Sequence, residues 1–344
     1  MAYYRKLRSG LWQATIRTPQ GVRRTRTDPL KSVVKAWAED AETAMRRGEW
    51  ADPKDGRITL GQWWKEWSAA RVIERATSDR DASHWRAHVE PRWGHVRLSA
   101  ITAWDIEGWI AGMAKQGVGA SSLAQSARLL RHMLADAARH KMIAGDPSAT
   151  VRIPTPPRHV DRFLTRAEFA RLLDRMPTDR DRALLLLMCE AGLRWGEAAG
   201  LHSHRVDVDA RRLVVVEVLR RDRSVKGQPK SASGQRIVPL TDAVVEAVRP
   251  FLSGSGPLFP GVDYTNWRRR VFVPARDAAG LADPQPTIHD LRHSFGSWLA
   301  DRGVPPHEIQ SLMGHSSLRA TERYIHASGD RFGRALAALR EIGA

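Results

Sequence analysis

The sequence predicts an α+β protein that is mainly helical, with an N-terminal three-stranded sheet plus a helix, a helical middle domain and a mixed C-terminal domain. Three observations carry this prediction. The chain has 344 residues, more than one hydrophobic core usually organises. Two proline-bearing breaks, DPKDG at 52–56 and VRIPTPPRHV at 151–160, divide it. Apolar residues alternate near the N-terminus and recur at helical spacing further on.

The elements follow in order. Residues 3–8 and 11–17 flank Ser9-Gly10, and the turn Thr18-Pro19-Gln20-Gly21 leads into 22–27, so three short strands are expected. In the second, Trp12, Ala14 and Ile16 fall on one face and Gln13, Thr15 and Arg17 on the other. Pro29 opens a helix to about residue 47. Residues 59–143 read as all-helical. Thr59 precedes Trp63, Trp64 and Trp67, which share a helix face. Helices over 102–113 and 121–140 each begin at a hydroxyl-bearing cap candidate, Thr102 and Ser121. Ten of the 13 tryptophans precede residue 110, and in a small helical domain such residues are chiefly core. Beyond the second break, Thr165 and Glu168 form a capping-box signature, with helices through 173 and over 180–190. Residues 211–219 and 235–240 are expected strands, joined by a basic turn carrying Lys226 and Lys230. Helical patterns fill most of the rest.

Lys+Arg number 55 against 38 Asp+Glu, a net charge of +17, which makes a polyanion the natural partner. Basicity alone does not decide, because 46 of those cations are Arg and Arg-rich proteomes yield basic proteins of many kinds. The distribution says more. Residues 1–27 hold seven basic side chains and no acid, and a thin sheet bearing Arg5, Arg17, Arg23, Arg24 and Arg26 suits insertion into a DNA groove. Arg152 and Arg158 flank the prolines of the second break, an extended basic linker whose two tethered domains would be able to encircle a duplex. The longest apolar run, 183–189, is too short for a bilayer, and MAYYRKLRSG lacks the apolar core of a secretory signal. The single cysteine, Cys189, permits no intramolecular disulfide and no cysteine zinc finger. These features point to a cytoplasmic DNA-binding protein without a membrane segment.

Four fragments concentrate chemistry: AGLRWGE at 191–197, HDLRH at 289–293, LMGH at 312–315, and Tyr324. Phosphoryl transfer proceeds through an anionic transition state stabilised by positioning and electrostatics. Without a metal cluster that task falls to Arg, whose planar fork matches non-bridging oxygens. Arg194 stands beside Gly192 and Gly196, where backbone can approach a phosphate. His289 and Arg292, three apart, share a helix face. Each fragment also has a plainer reading. Arg194 can simply pair with Glu197. His289 and His293 have metal-pair spacing, yet no carboxylate or cysteine stands at ligand spacing beside them, so no metal is expected. A tyrosine near a C-terminus is ordinarily a packing residue. Together and in this order the fragments point to phosphodiester chemistry.

On these residues the chain resembles the tyrosine recombinases of the phage-integrase type, whose catalytic fold is similar to that of type IB topoisomerases. The matching pieces are AGLRWGE around Arg194, PKSASGQRIVPL around Lys230, HDLRH around His289 and Arg292, and LMGHSSLRATERYIH from His315 through Tyr324. Lys226 lies on the same turn as Lys230 and is the alternative there. The resemblance implies an arm-type DNA-binding domain over 1–50, a helical, SAM-like core-binding domain over 58–150, and a catalytic domain over 161–344 ending in a docking helix over 331–342. It implies a catalytic set of Arg194, Lys230, His289, Arg292, His315 and the nucleophile Tyr324, with Glu197 orienting its neighbours. Tyr324 would attack the scissile phosphate, leaving a 3′-phosphotyrosyl bond and a 5′-hydroxyl. A phenol with a pKa of about 10 is a poor nucleophile at neutral pH, so proton removal and charge neutralisation must assist. Arg194 and Arg292 would hold the non-bridging oxygens with His315 as a further donor, His289 would be the base and Lys230 the acid. The covalent link conserves the phosphodiester energy, so no ATP, metal or other cofactor is expected. The implied partners are core-type and arm-type attachment sites in double-stranded DNA and further copies of the chain, a tetramer on DNA. The same resemblance adds an excisionase and a host DNA-bending protein as accessory partners, and the implied location is the bacterial cytoplasm, with the nucleoid. Other readings are a recombinase resolving chromosome or plasmid dimers, a catalytically silent DNA-binding relative, and a monomeric topoisomerase.

Overall fold

Alternation in the N-terminal strands sets the first layer. The computed structural model describes residues 2–327 except 20, 49, 51, 53–54, 158–161, 217, 220–224, 227–234, 253, 255 and 282. The chain divides into two units, Met1–Arg158 and His159–Ala344. In the first, β1 (Tyr3–Lys6), β2 (Trp12–Arg17) and β3 (Arg23–Asp28) form an antiparallel sheet with β2 in the centre. Ala14 and Ile16 of β2 are buried with Val34, Ala38 and Ala41 of α1 (Lys31–Arg46), as the alternation requires.

Register then sorts the arginines. Residues directly opposite across a ladder share a face. Arg5 faces Gln13 and Arg17 faces Arg23, on the side away from α1. Arg24 faces Ile16 and Arg26 faces Ala14, so these two belong to the packed side. Arg24 Nε donates to Asp52 at 2.6 Å, which ties the first expected break back onto the sheet.

The helical part of this unit has its own core. Thr59 and Gln62 make a capping box for α2 (Leu60–Ala70). Trp63 and Trp67 are buried, and their indole N–H groups donate to Met133 O at 2.9 Å and Asp136 Oδ2 at 2.7 Å. Then α3 (Arg75–His84) continues through a π turn, Trp85–Val89, into α4 (Glu90–Trp93). Thr102 caps α5 (Ala103–Lys115) as expected. The helix α6 (Ala120–Arg139) has Gly119 at its cap in place of the expected Ser121, because the chain already turns helical at Ala120. The tryptophans at 85, 93 and 109 are core, whereas Trp104 is exposed.

The second unit opens with α7 (Arg166–Asp174), capped by the Thr165–Glu168 box. The apolar run 183–189 lies entirely buried in α8 (Asp179–Cys189), and α9 (Trp195–Ala199) follows. The expected strand over 211–219 is broken. After β4 (Val206–Asp207), its first half is β5 (Arg212–Val215) and its second half is β6 (Val218–Leu219), which pairs with β7 (Val225–Lys226) as a separate ribbon. The cause is α9: a Cβ on Gly196 would lie 2.8 Å from Leu219 O, so β6 leans on that helix and leaves the ladder. Lys226 is therefore in a strand, not a turn. The main sheet is completed by β8 (Arg236–Pro239), in the order β4-β5-β8. Around it lie α10 (Asp242–Val248), α11 (Tyr264–Trp267), α12 (Val273–Ala278), α13 (Ile288–Asp301), α14 (Pro306–Met313) and α15 (Arg319–Ala327). Among the described residues, no helix is long and apolar enough to cross a membrane.

Candidate active site

The site is assembled on α13. Thr287 and Asp290 make a capping box, with the Thr287 N–H donating to Asp290 Oδ2 at 2.7 Å, which fixes where the helix begins and hence where His289, Arg292 and His293 project. His289 is exposed, while Arg292 and His293 are buried. The Arg292 guanidinium donates to Gly192 O at 2.6 Å and to Met313 O. Gly192 has φ +63°, and a Cβ there would meet the Phe295 ring at 2.3 Å. Only glycine lets this turn press onto α13. The glycines of AGLRWGE serve close packing, Gly192 against Phe295 and Gly196 against β6.

Arg194 caps α9. Its N–H donates to Glu197 Oε2 at 2.9 Å, Nη1 to Oε1 at 2.7 Å, and Nη2 to Gly314 O at 3.2 Å. Glu197 also receives Arg236 Nη2 at 2.8 Å and lies 3.6 Å from Arg292 Nη1. Burial alone would raise the Glu197 pKa. The hydrogen bond and charge of Arg236, joined by Arg292 and Arg194, outweigh burial and bring it down to about 2. Burial, helped by Arg194, pulls Arg292 down to about 9 against the opposing pull of Glu197, so Arg292 remains cationic at neutral pH. Three guanidiniums therefore surround one carboxylate, a local excess of positive charge suited to a phosphate. The Arg194 side chain is 42% exposed and Arg292 only 2%. Arg194 is thus partly open to solvent although both its Nη atoms donate within the protein, whereas Arg292 is enclosed.

Gly314 ends α14 in the left-handed conformation and turns the chain to His315. His315 Nδ1 lies 2.9 Å from Thr321 Oγ1, and its ring is nearly parallel to that of Tyr324, with centroids 6.0 Å apart. A cleft of about 490 Å³ opens here, lined by Arg236, Ile237, His307, Gln310 and His315 among others. Tyr324, on α15, is fully buried, and its hydroxyl lies 2.7 Å from His293 Nδ1.

Of the expected residues, Arg194, Glu197, Arg292, His315 and Tyr324 converge, and the His289 ring stands 4.4 Å from that of His293. Lys230, Arg158 and the segment 331–342 lie outside the described residues. Two members of the cluster escaped the sequence reading. Arg236 is buried and also donates from Nε to Leu312 O at 2.6 Å. Its signal was an arginine at the apolar register of a strand, with Val238 inward and Ile237 outward. His293 was visible as the second histidine of HDLRH, one helical turn after His289, but nothing in that spacing tied it to Tyr324.

Comparison with known proteins identifies the family. Residues 162–331 match the phage integrase family. A putative prophage phiRv2 integrase of Mycobacterium tuberculosis is 28% identical over 363 residues, covering 97% of this chain and 93% of that protein. The tyrosine recombinase XerC of Xylella fastidiosa is 30% identical over 273 residues, covering 74% and 88%. Among solved structures, a lambda integrase tetramer bound to a Holliday junction superposes with a TM-score of 0.63 at 21% identity, covering 94% of each chain. A Tn1549 transposon integrase with circular-intermediate DNA gives 0.70 at 19% identity, covering 83% of this chain and 99% of that one. The chain thus belongs to the phage integrase family of tyrosine recombinases, enzymes that cleave and rejoin DNA.

Proposed function

We propose that the chain is a site-specific integrase that inserts and excises a phage or mobile element, with Tyr324 as nucleophile. The observation that carries this reading is the Arg194–Glu197–Arg236–Arg292 cluster standing in one site with His315 and Tyr324. Arg194 holds a non-bridging oxygen of the scissile phosphate, Arg292 adds charge from below, and His315 donates to the same group. Tyr324 attacks phosphorus and forms the 3′-phosphotyrosyl bond, its proton passing to a histidine, for which His289 is the exposed candidate. The 5′-oxygen leaves with a proton from Lys230. A second strand's 5′-hydroxyl then reverses the step and restores the phosphodiester. Glu197 holds the three guanidiniums in register.

Residues 1–50 are proposed as an arm-type DNA-binding domain, 58–150 as the core-binding domain and 161–344 as the catalytic domain. The open sheet face supports the first: Arg17 and Arg23 stand directly opposite each other, a like-charge pair that costs stability without an anion between them. The prophage integrase aligns over 97% of this chain and XerC over 74%, which favours an integrase over a dimer resolvase. The solved relatives include a tetramer on a Holliday junction, in keeping with a tetramer on DNA here. An excisionase and a host DNA-bending protein are the accessory partners this reading adds. Purified protein incubated with the two attachment sequences flanking the element tests it. Recombinant joints are expected only when both sites are present, whereas relaxation of plasmids lacking them would point to a topoisomerase.

A further inference from the structure

We propose that His293 and Gly296 are positioning residues that form a berth for Tyr324, holding its hydroxyl on the imidazole and its ring inside the protein until DNA is engaged. The proposal rests on the reading of Tyr324 as nucleophile and concerns where that nucleophile waits. Two independent features of α13 build the berth. His293 Nδ1 stands 2.7 Å from the Tyr324 hydroxyl, and both side chains are buried, His293 at 5% and Tyr324 at 0% exposure. One turn on, Gly296 leaves the space the ring fills: a Cβ there would lie 2.8 Å from Tyr324 Cε2 and 2.9 Å from Cδ2. Phe163 meets the ring edge-to-face at 6.2 Å, and Ile309 and Met313 belong to the same small apolar cluster. The two residues divide the work. Gly296 admits the ring, and His293 meets the buried hydroxyl at hydrogen-bond distance.

A side chain with no exposed surface cannot touch a duplex phosphate, and in-line attack needs contact at about 3 Å. The hydroxyl must therefore leave the imidazole before it can react. The berth keeps the nucleophile from water and from adventitious phosphates, and it makes release of α15 a step in engaging the correct site.

Nitration of the DNA-free full-length protein with tetranitromethane, mapped by peptide, tests this. The four tyrosines provide internal standards, since Tyr3 is 64% and Tyr264 40% exposed. In the wild type Tyr324 should react about tenfold more slowly than Tyr264, as expected for a group reached only through local opening. Gly296→Ala fills the berth, yet alanine favours helix, so α13 should persist while Tyr324 approaches the rate of Tyr264. His293→Phe should do the same by removing the imidazole nitrogen that meets the hydroxyl. His293→Asn, which can place an amide near the Nδ1 position, should restore protection. At saturating nicked DNA, Gly296→Ala should form covalent adduct at least as fast as wild type. Tyr324 reacting like Tyr264 in the wild type, or staying protected in both disrupting variants, would overturn the berth. So would a slowed adduct step in Gly296→Ala, because the buried position would then be the working one. Because nitration is read without DNA, a protected Tyr324 in a protein that forms no adduct would leave the berth standing and remove the recombinase reading, and the reverse pattern would do the opposite.

Discussion

At the scale of single residues, Glu197 is the anion that allows three arginines to share a small volume. Removing one partner of a buried ion pair leaves the other uncompensated, so Glu197→Gln should destabilise the catalytic unit by about 3–5 kcal/mol, measurable by urea unfolding. The pH dependence has a definite sign. The Glu197 carboxyl lies at about 2 when folded against an ordinary 4.5, so its stabilisation is complete above the ordinary value and is lost as pH falls through 2. The stability gap between wild type and Glu197→Gln should narrow by about 3 kcal/mol from pH 5 to pH 2; parallel curves would contradict this assignment. The Arg194–Glu197 pair was legible as an i, i+3 contact within one short motif. Arg236 and His293 were not, because the first reaches Glu197 across 39 residues and the second reaches Tyr324 across 31. Only tertiary packing makes those pairs neighbours.

At the scale of elements, the turn at Gly192 links the two motifs that carry the arginines, since its carbonyl receives Arg292 while its neighbours lead into Arg194. Gly192→Ala would place a Cβ against Phe295 at a positive φ. The expected cost is about 2 kcal/mol or more, from the backbone strain and the displaced ring. Displacing Arg292 by even 1 Å should slow adduct formation by about a hundredfold, measured in single turnover. The Thr165–Glu168 capping box was legible in sequence because it is a contact within four residues, whereas the boxes at Thr59 and Thr287, equally local, emerge only in the structure. The break of the expected strand into β5 and β6 was not legible. It depends on Gly196 of α9 meeting Leu219, and a β-branched run looks the same whether or not a helix intervenes.

At the scale of the whole molecule, the +17 charge pointed to a polyanion but did not say which arginines share a face. The sheet register separates them by face. Arg17→Gln with Arg23→Gln, on the open face, should weaken binding to an arm-type site and reduce the log–log salt slope by about 2, near −0.9 per lost phosphate contact. Arg24→Gln should instead lower stability through the lost Asp52 pair. Equal salt slopes for the double variant and wild type would move the contact elsewhere. The central claim concerns Tyr324, and the most direct measurement uses a cognate half-site nicked beside the cleavage position, which lets the cut fragment escape and traps the intermediate. Wild-type protein should become covalently joined to the 3′-phosphate, with peptide mapping placing the bond on Tyr324, and Tyr324→Phe should form no adduct. An adduct that persists in Tyr324→Phe, or none with wild-type protein on its cognate site, would contradict the account.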